Sequence, residues 1–403
     1  MGEEPTTTAI RKMVEEGSLA GAATLVWQDG RVIEAAAVGW RNIASRLPME
    51  RDTLFRIASM TKPVTSTAAL MLLDEGCFAL DDPITRWAPE FSQMRVLRSP
   101  AGPLDQTNPA ERPITFEDLL THRSGLTYGD WHSGPIAQAY RDALGRDIDS
   151  EVPPDDWIAR LAALPLIDQP GAAFHYGHST DLLGLLLARM EDAPLGEVLK
   201  CRIFDPLGMN DTGFAVPAEN QHRRAGAYGF DEAGRLCVRL TGPGDSFLPE
   251  RPDGMAYVSG GQGLWSTVDD YLAFARMLLN GGVVDGCRLL QPETFRRMVT
   301  NCLSEEQRAR ARWILNDGHG FGLGIAMVLD PLKAGPQPCG GGAGAVGWPG
   351  AFGGWWRADP NNSSVLIFLA HNMLELEQLS NGIGLGVFDA IEQFQAQAST
   401  LLN

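Results

Sequence analysis

Lysine is nearly missing from this chain. Of its 33 basic residues only Lys12, Lys62, Lys200 and Lys333 are lysines, so arginine carries the positive surface charge and each lysine stands out. The six cysteines include no C-x-x-C pair, which excludes the usual spacing of a zinc site or a redox motif. Free buried thiols in a reducing cytosol are the simplest reading of them, and they place the protein in the cytoplasm. No run approaches the roughly 18 apolar residues of a membrane span. The first residues, MGEEPTTTAIRKMVEEG, lack the apolar centre of a secretory leader. Basic residues are also outnumbered, 33 against 50 acidic, for a net charge of -17. That balance argues against nucleic acid and anionic membranes as partners and for plain solubility.

What remains is ordinary globular text, 44% apolar and 21% charged over 403 residues, without repeats or low-complexity tracts. The length allows one large domain or two lobes. A helix is expected over Thr8–Glu16. Two apolar runs, Ala20–Gln28 and Val32–Val38, flank Asp29-Gly30, a strong hairpin signal. From Ser59 to about Arg312 the apolar residues recur at helical spacing. The segments are Thr61–Glu75, Thr115–His122, Asp155–Leu164, Ser179–Met190, Pro194–Ile203 and Thr267–Leu279. Thr115 before Asp118 and Thr267 before Asp270 carry N-cap chemistry. Strand text returns at Phe321–Leu329, Ala351–Ala358 and Ser364–Ala370, with a turn at Asp359–Asn362 and a last helix over Leu385–Ala398. The pattern predicts an α+β fold. Both chain ends (1–58 and 313–403) build one antiparallel sheet with flanking helices, and 59–312 form an inserted, mostly helical lobe. The active site is expected in the cleft between them.

The chemistry centres on Phe55-Arg56-Ile57-Ala58-Ser59-Met60-Thr61-Lys62-Pro63. Ser59 stands where strand text gives way to a helix, so its N–H can face a cleft at a helix N-terminus. Lys62 lies one turn on, on the same face. A lysine in apolar surroundings gives up its proton more easily and can then accept the serine's. Ser-Lys pairs are an established alternative to Ser-His-Asp. The bland reading of the same letters is a helix-capping serine and a solvated lysine.

The surrounding text, LFRIASMTKPVTSTAALMLLDEG, resembles the first motif of family VIII carboxylesterases and class C β-lactamases. LLTHRSGLTYG, FHYGHSTDLLG, PLGMNDTGF, SGGQGLWST and VGWPGAFGGWWRADP resemble further blocks in the same order, from about Leu54 to Pro360. The resemblance implies a β-lactamase/transpeptidase-like fold and an acyl-enzyme on Ser59. It implies that Tyr176, in Tyr176-Gly177-His178, shares the base role with Lys62. His178 stands where β-lactamases carry an asparagine, which argues against β-lactam or peptide substrates. Tyr128 is the rival tyrosine and by resemblance lines the acyl pocket. The oxyanion donors implied are the N–H groups of Ser59 and Ala351, with Gly350 allowing close approach; Pro349 has no N–H to give. Trp348 replaces a family cation with an apolar wall, as in the W-x-G form of the esterases. Trp131, Trp265 and Trp355 are further candidate walls.

Competing motifs fare worse. Gly342–Gly347 fits G-x-G-x-x-G but lies late and leads into a strand, so it reads as a loop. Gly177–Asp181 starts like G-x-S-x-G but ends in aspartate. His175 and His178 make H-x-x-H without the acidic partner of a zinc helix. The expectation is therefore a carboxylesterase for short-chain esters, with no metal and no cofactor. The rivals are a β-lactamase, D-amino-acid peptidase or acyltransferase on the same fold, and a silent binding protein. The oligomeric state is left open. Loops within Ser124–Asp155 and Gly242–Ala256 are expected to set specificity.

Overall fold

The computed structural model describes residues 5–145, 150–239 and 256–402. Gly242–Met255 of the second specificity loop therefore lies outside the described residues, as do residues 146–149 of the first.

An eight-stranded antiparallel sheet is the frame. Its strands are β1 (Gly21–Gln28), β2 (Arg31–Asn42), β3 (Leu47–Pro48), β4 (His319–Phe321), β5 (Ala326–Val328), β6 (Val346–Gly347), β7 (Trp355–Asp359) and β8 (Ser364–Ala370). Their spatial order is β4-β5-β6-β7-β8-β1-β2-β3. The first and last strands of the chain meet at the centre, Ala22 opposite Ala370 and Gln28 opposite Ser364. Asp29-Gly30 makes the expected hairpin between β1 and β2.

Why β8 reads as an unbroken apolar run follows from its two buried faces. Val365, Ile367 and Leu369 point into the main core. Leu366, Phe368 and Ala370 point the other way, under α1 (Pro5–Glu15) and the last helix, α6 (Leu385–Leu401), which contribute Ile10, Met13, Ile391 and Phe394.

On the main-core side lies α5 (Val268–Leu279), packed on β1, β7 and β8. Its N-cap is Thr267, whose hydroxyl accepts from the Asp270 N–H. Next come α2 (Thr61–Asp74), α3 (Phe116–Leu120) and α4 (Ser179–Glu191), with α4 packed on both α2 and α3. Thr115 and Asp118 form the full capping box on α3. Almost all of α2 is buried, so the lysine on its first turn is inside the protein.

Two expected strands are shorter than their sequence text. Phe321–Leu329 is a hairpin, β4 and β5, because Gly322 N–H bonds Ile325 O and turns the chain. Ala351–Ala358 starts as a tight turn closed by Gly350 N–H on Gly354 O; pairing begins at Trp355. Pro194–Ile203 is a short helix, Leu195–Leu199, that widens into a π-turn at Lys200–Phe204. The six cysteines are unpaired, but only Cys339 is fully buried, and Cys77 and Cys201 are exposed. Among the described residues no helix is long and apolar enough to cross a membrane.

Candidate active site

A two-residue strand, Phe55–Arg56, leads into a single 3₁₀ turn, Ala58–Met60, that runs on into α2. This carries Ser59 to the helix N-terminus. Ala58, just before it, has φ +45°, a left-handed conformation that costs an alanine roughly 1–2 kcal/mol. The serine is only 7% exposed and the Lys62 side chain is 1% exposed. One turn of helix brings Lys62 Nζ to 3.3 Å from Ser59 Oγ. The same ammonium donates to the Tyr128 hydroxyl at 3.1 Å and the Gly261 carbonyl at 2.9 Å.

The two tyrosines stand side by side, ring centroids 5.7 Å apart. Gly177 allows it, since a Cβ there would lie 2.3 Å from the Thr127 backbone. They differ in what holds them. The Tyr176 ring lies under the ammonium, 4.5 Å from Nζ to its centroid, and its oxygen accepts the Trp348 indole N–H at 3.0 Å. Tyr128 bonds the lysine directly and sits 3.5 Å from Asp181 Oδ2. Burial, and then the Asp181 carboxylate, push the Tyr128 phenol well above its usual range, so it stays protonated.

The last piece comes from the sheet. Gly350 is buried against the Ala58–Met60 turn: a Cβ on it would sit 2.4 Å from the Ile57 carbonyl. Ala351 follows on the exposed turn. Neither the Ser59 N–H nor the Ala351 N–H has a hydrogen-bond partner among the described residues. His178 immediately precedes α4, with Nδ1 3.0 Å from Asp181 and its ring edge-on to Tyr128. His175 turns to a different carboxylate, Asp168 at 3.2 Å.

Of the other candidate walls, Trp131 lies 5.6 Å from the Tyr176 ring. Trp265, on the strand paired with Phe55–Arg56, has the Arg56 and Arg224 guanidinium groups 5.1 and 5.8 Å from its ring. Trp355 belongs elsewhere: it faces Phe394 of α6, and its N–H is used by Pro338 O. Alternation along β7 puts it on the far side of the sheet from Trp356.

Three residues enter the site without having been singled out for it from sequence. Trp313, 54% exposed, packs at a tilt against Trp131 with ring centroids 4.6 Å apart and extends the aromatic wall to solvent. His122 is fully buried 4.8 Å from the Tyr176 ring; burial, and then the Lys62 charge, hold it neutral. Asp181, on the first turn of α4, is a buried carboxylate. Burial pushes its pKa up, but the His178 hydrogen bond and field, Lys62 and Ser259 outweigh that and bring it to about 2. A carboxylate placed three residues beyond a loop histidine, at a helix start, was the available signal.

A family model described as Beta-lactamase matches residues 6–381. Protein Rv1367c of Mycobacterium tuberculosis is 48% identical over 374 residues, 91% of this chain and 90% of that one. Esterase EstB of Burkholderia gladioli is 32% identical over 397 residues, 94% of this chain and 92% of its own. Among solved structures, EstCE1, described as a hydrolase with promiscuous acyltransferase activity, superposes with a TM-score of 0.79 at 28% identity, covering 96% of this chain and 97% of that one.

Proposed function

Because this chain belongs to the beta-lactamase family and is a serine hydrolase of the esterase type, we propose that it hydrolyses short-chain carboxylic esters through an acyl-enzyme on Ser59. The observation that carries the reading is the 3.3 Å contact between Ser59 Oγ and Lys62 Nζ beside a wall made by Trp348 and Tyr176.

For attack the Lys62 ammonium first sheds one proton; as the free amine it keeps its N–H bonds to Tyr128 and Gly261 and takes the Ser59 proton as Oγ attacks the ester carbonyl carbon. Negative charge gathers on the carbonyl oxygen and is met by the two unengaged N–H groups of Ser59 and Ala351. The alcohol leaves with a proton supplied by Tyr176. Water then attacks the acyl carbon; its proton passes to the Tyr176 phenolate, the acyl–Oγ bond breaks, and Lys62 returns its proton to Ser59 Oγ as the acid is released. Tyr176 fits the proton-donor role better than Tyr128. The Trp348 N–H occupies an acceptor site on the Tyr176 oxygen and leaves its own O–H to turn toward the reaction, whereas the Tyr128 O–H is committed to Asp181.

Trp348 also argues for esters over β-lactams. A β-lactam carries a carboxylate that needs a cation; Trp348 offers an apolar face, and its one N–H is already spent. Unpaired cysteines support a reducing, cytoplasmic setting.

The test is a p-nitrophenyl alkylphosphonate. Ser59 Oγ should form a bond to phosphorus with release of one p-nitrophenolate per chain, and peptide mass spectrometry should find the adduct on Ser59. Label on another residue, or none alongside undiminished ester turnover, would reject the assignment. Nitrocefin turnover faster than that of p-nitrophenyl butyrate would favour the β-lactamase alternative.

Gly350→Ala tests the close approach of sheet and nucleophile turn. A methyl group at 2.4 Å from the Ile57 carbonyl forces the two apart. The expected loss is roughly 1–3 kcal/mol in urea unfolding. The rate of phosphonate labelling should fall as well, because the two oxyanion donors separate. Unchanged stability and labelling would place the turn elsewhere.

A further inference from the structure

We propose that Asp181 is a positioning residue for Lys62: it anchors both the Tyr128 hydroxyl and the Gly261 carbonyl segment, the two groups that share the lysine's ammonium with Ser59. The inference rests on the reading of Ser59 and Lys62 given above.

An ammonium has three N–H donors. Those of Lys62 meet three acceptors: Ser59 Oγ at 3.3 Å, Tyr128 at 3.1 Å and Gly261 O at 2.9 Å. The two shorter bonds hold the amine, and the longer one faces the nucleophile. Both holders trace back to one carboxylate. The Tyr128 oxygen accepts from the lysine, so its hydrogen is free for Asp181 Oδ2, 3.5 Å away. Gly261 gives its carbonyl to the lysine and its N–H to Asp181 Oδ1 at 3.0 Å. The Ser259 hydroxyl donates to the same Oδ1, and His178 Nδ1 lies 3.0 Å from Oδ2. The 259–261 segment wraps the carboxylate so closely that a Cβ on Gly261 would come within 3.0 Å of it.

Every neighbour of Asp181 can donate, and a carboxylate is the side chain that accepts on both oxygens. An amide of the same shape does not replace it. One face of asparagine would present N–H groups to donors. Tyr128 and Gly261 would then lose their common anchor, and the amine would drift from its 3.3 Å contact.

The experiment compares Asp181→Asn, Tyr128→Phe and the double variant, each rate divided by the number of serines that titrate with the phosphonate. That normalisation removes losses that come only from misfolded protein. For Asp181→Asn, kcat per titrated serine should fall roughly 10- to 100-fold, a larger change than that in KM, because the displaced amine acts in the chemical step. Tyr128→Phe should lose less, since Gly261 still holds the amine. The double variant should match Asp181→Asn within about twofold, because the tyrosine acts through the aspartate. Wild-type kcat per titrated serine in Asp181→Asn overturns the proposal, and so do single losses that multiply in the double variant. If Asp181→Asn does not fold, Ser259→Ala replaces it in the same cycle and is read the same way. Ser59→Ala, run alongside, separates the two layers. Activity retained there removes the nucleophile assignment, whereas a silent Ser59→Ala with an unaffected Asp181→Asn removes only this inference.

Discussion

Ser59→Ala should lower ester turnover by on the order of 10⁴-fold or more while leaving the fold intact. No covalent intermediate can form without the hydroxyl. Whatever rate survives comes from the backbone N–H groups of residues 59 and 351, which alanine retains, and from binding in the aromatic cleft. The exchange is small for the structure. Lys62 keeps its bonds to Tyr128 and Gly261, and alanine fits the turn that the serine already occupies. Circular dichroism and urea unfolding of the variant should therefore overlay those of the parent. Turnover equal to the parent would remove Ser59 from the chemistry.

Lys62→Met is expected to strike both rate and stability. Losing the base costs about 10²- to 10⁴-fold in kcat/KM. Methionine fills the stem's volume but leaves the Tyr128 oxygen and the Gly261 carbonyl without their donor. It also removes a cation that helps His178 hold the buried Asp181 in its charged form, and each acceptor left without a donor costs roughly 1–3 kcal/mol. Urea unfolding at neutral pH measures it. Removing the second charge as well, in Lys62→Met with Asp181→Asn, should restore part of that stability but none of the rate. A single variant as stable as the parent would show that the two charges do not depend on each other.

Much of this arrangement could be read from the sequence, because it depends on local rules. Asp29-Gly30 between apolar runs made its hairpin, Thr115 and Thr267 capped their helices, and an S-x-x-K spacing put two side chains on one turn. Local rules fail where partners are distant. The anchors of Asp181 come from positions 128, 178, 259 and 261, and beyond the three-residue step from His178 nothing in their spacing announces a shared carboxylate. Trp313 lies on a one-turn helix, Arg312–Leu315, with no motif around it. The shortened strands fail for a related reason. Composition reports that Phe321–Leu329 is buried, whereas one backbone hydrogen bond, Gly322 to Ile325, decides that it folds back. Similarly, Tyr128 and Tyr176 cannot be told apart by letters; the indole behind one and the carboxylate behind the other make the difference.

The pairing of β1 with β8 sets a timetable for the nascent chain. The apolar edge of Gly21–Gln28 leaves the ribosome long before its neighbour Ser364–Ala370 is made. Throughout synthesis that edge has only the β2 hairpin to cover one side, which leaves the other open to chaperones or to strands of other copies. Closing the sheet across so long a span also makes refolding from denaturant slow for a protein of this size.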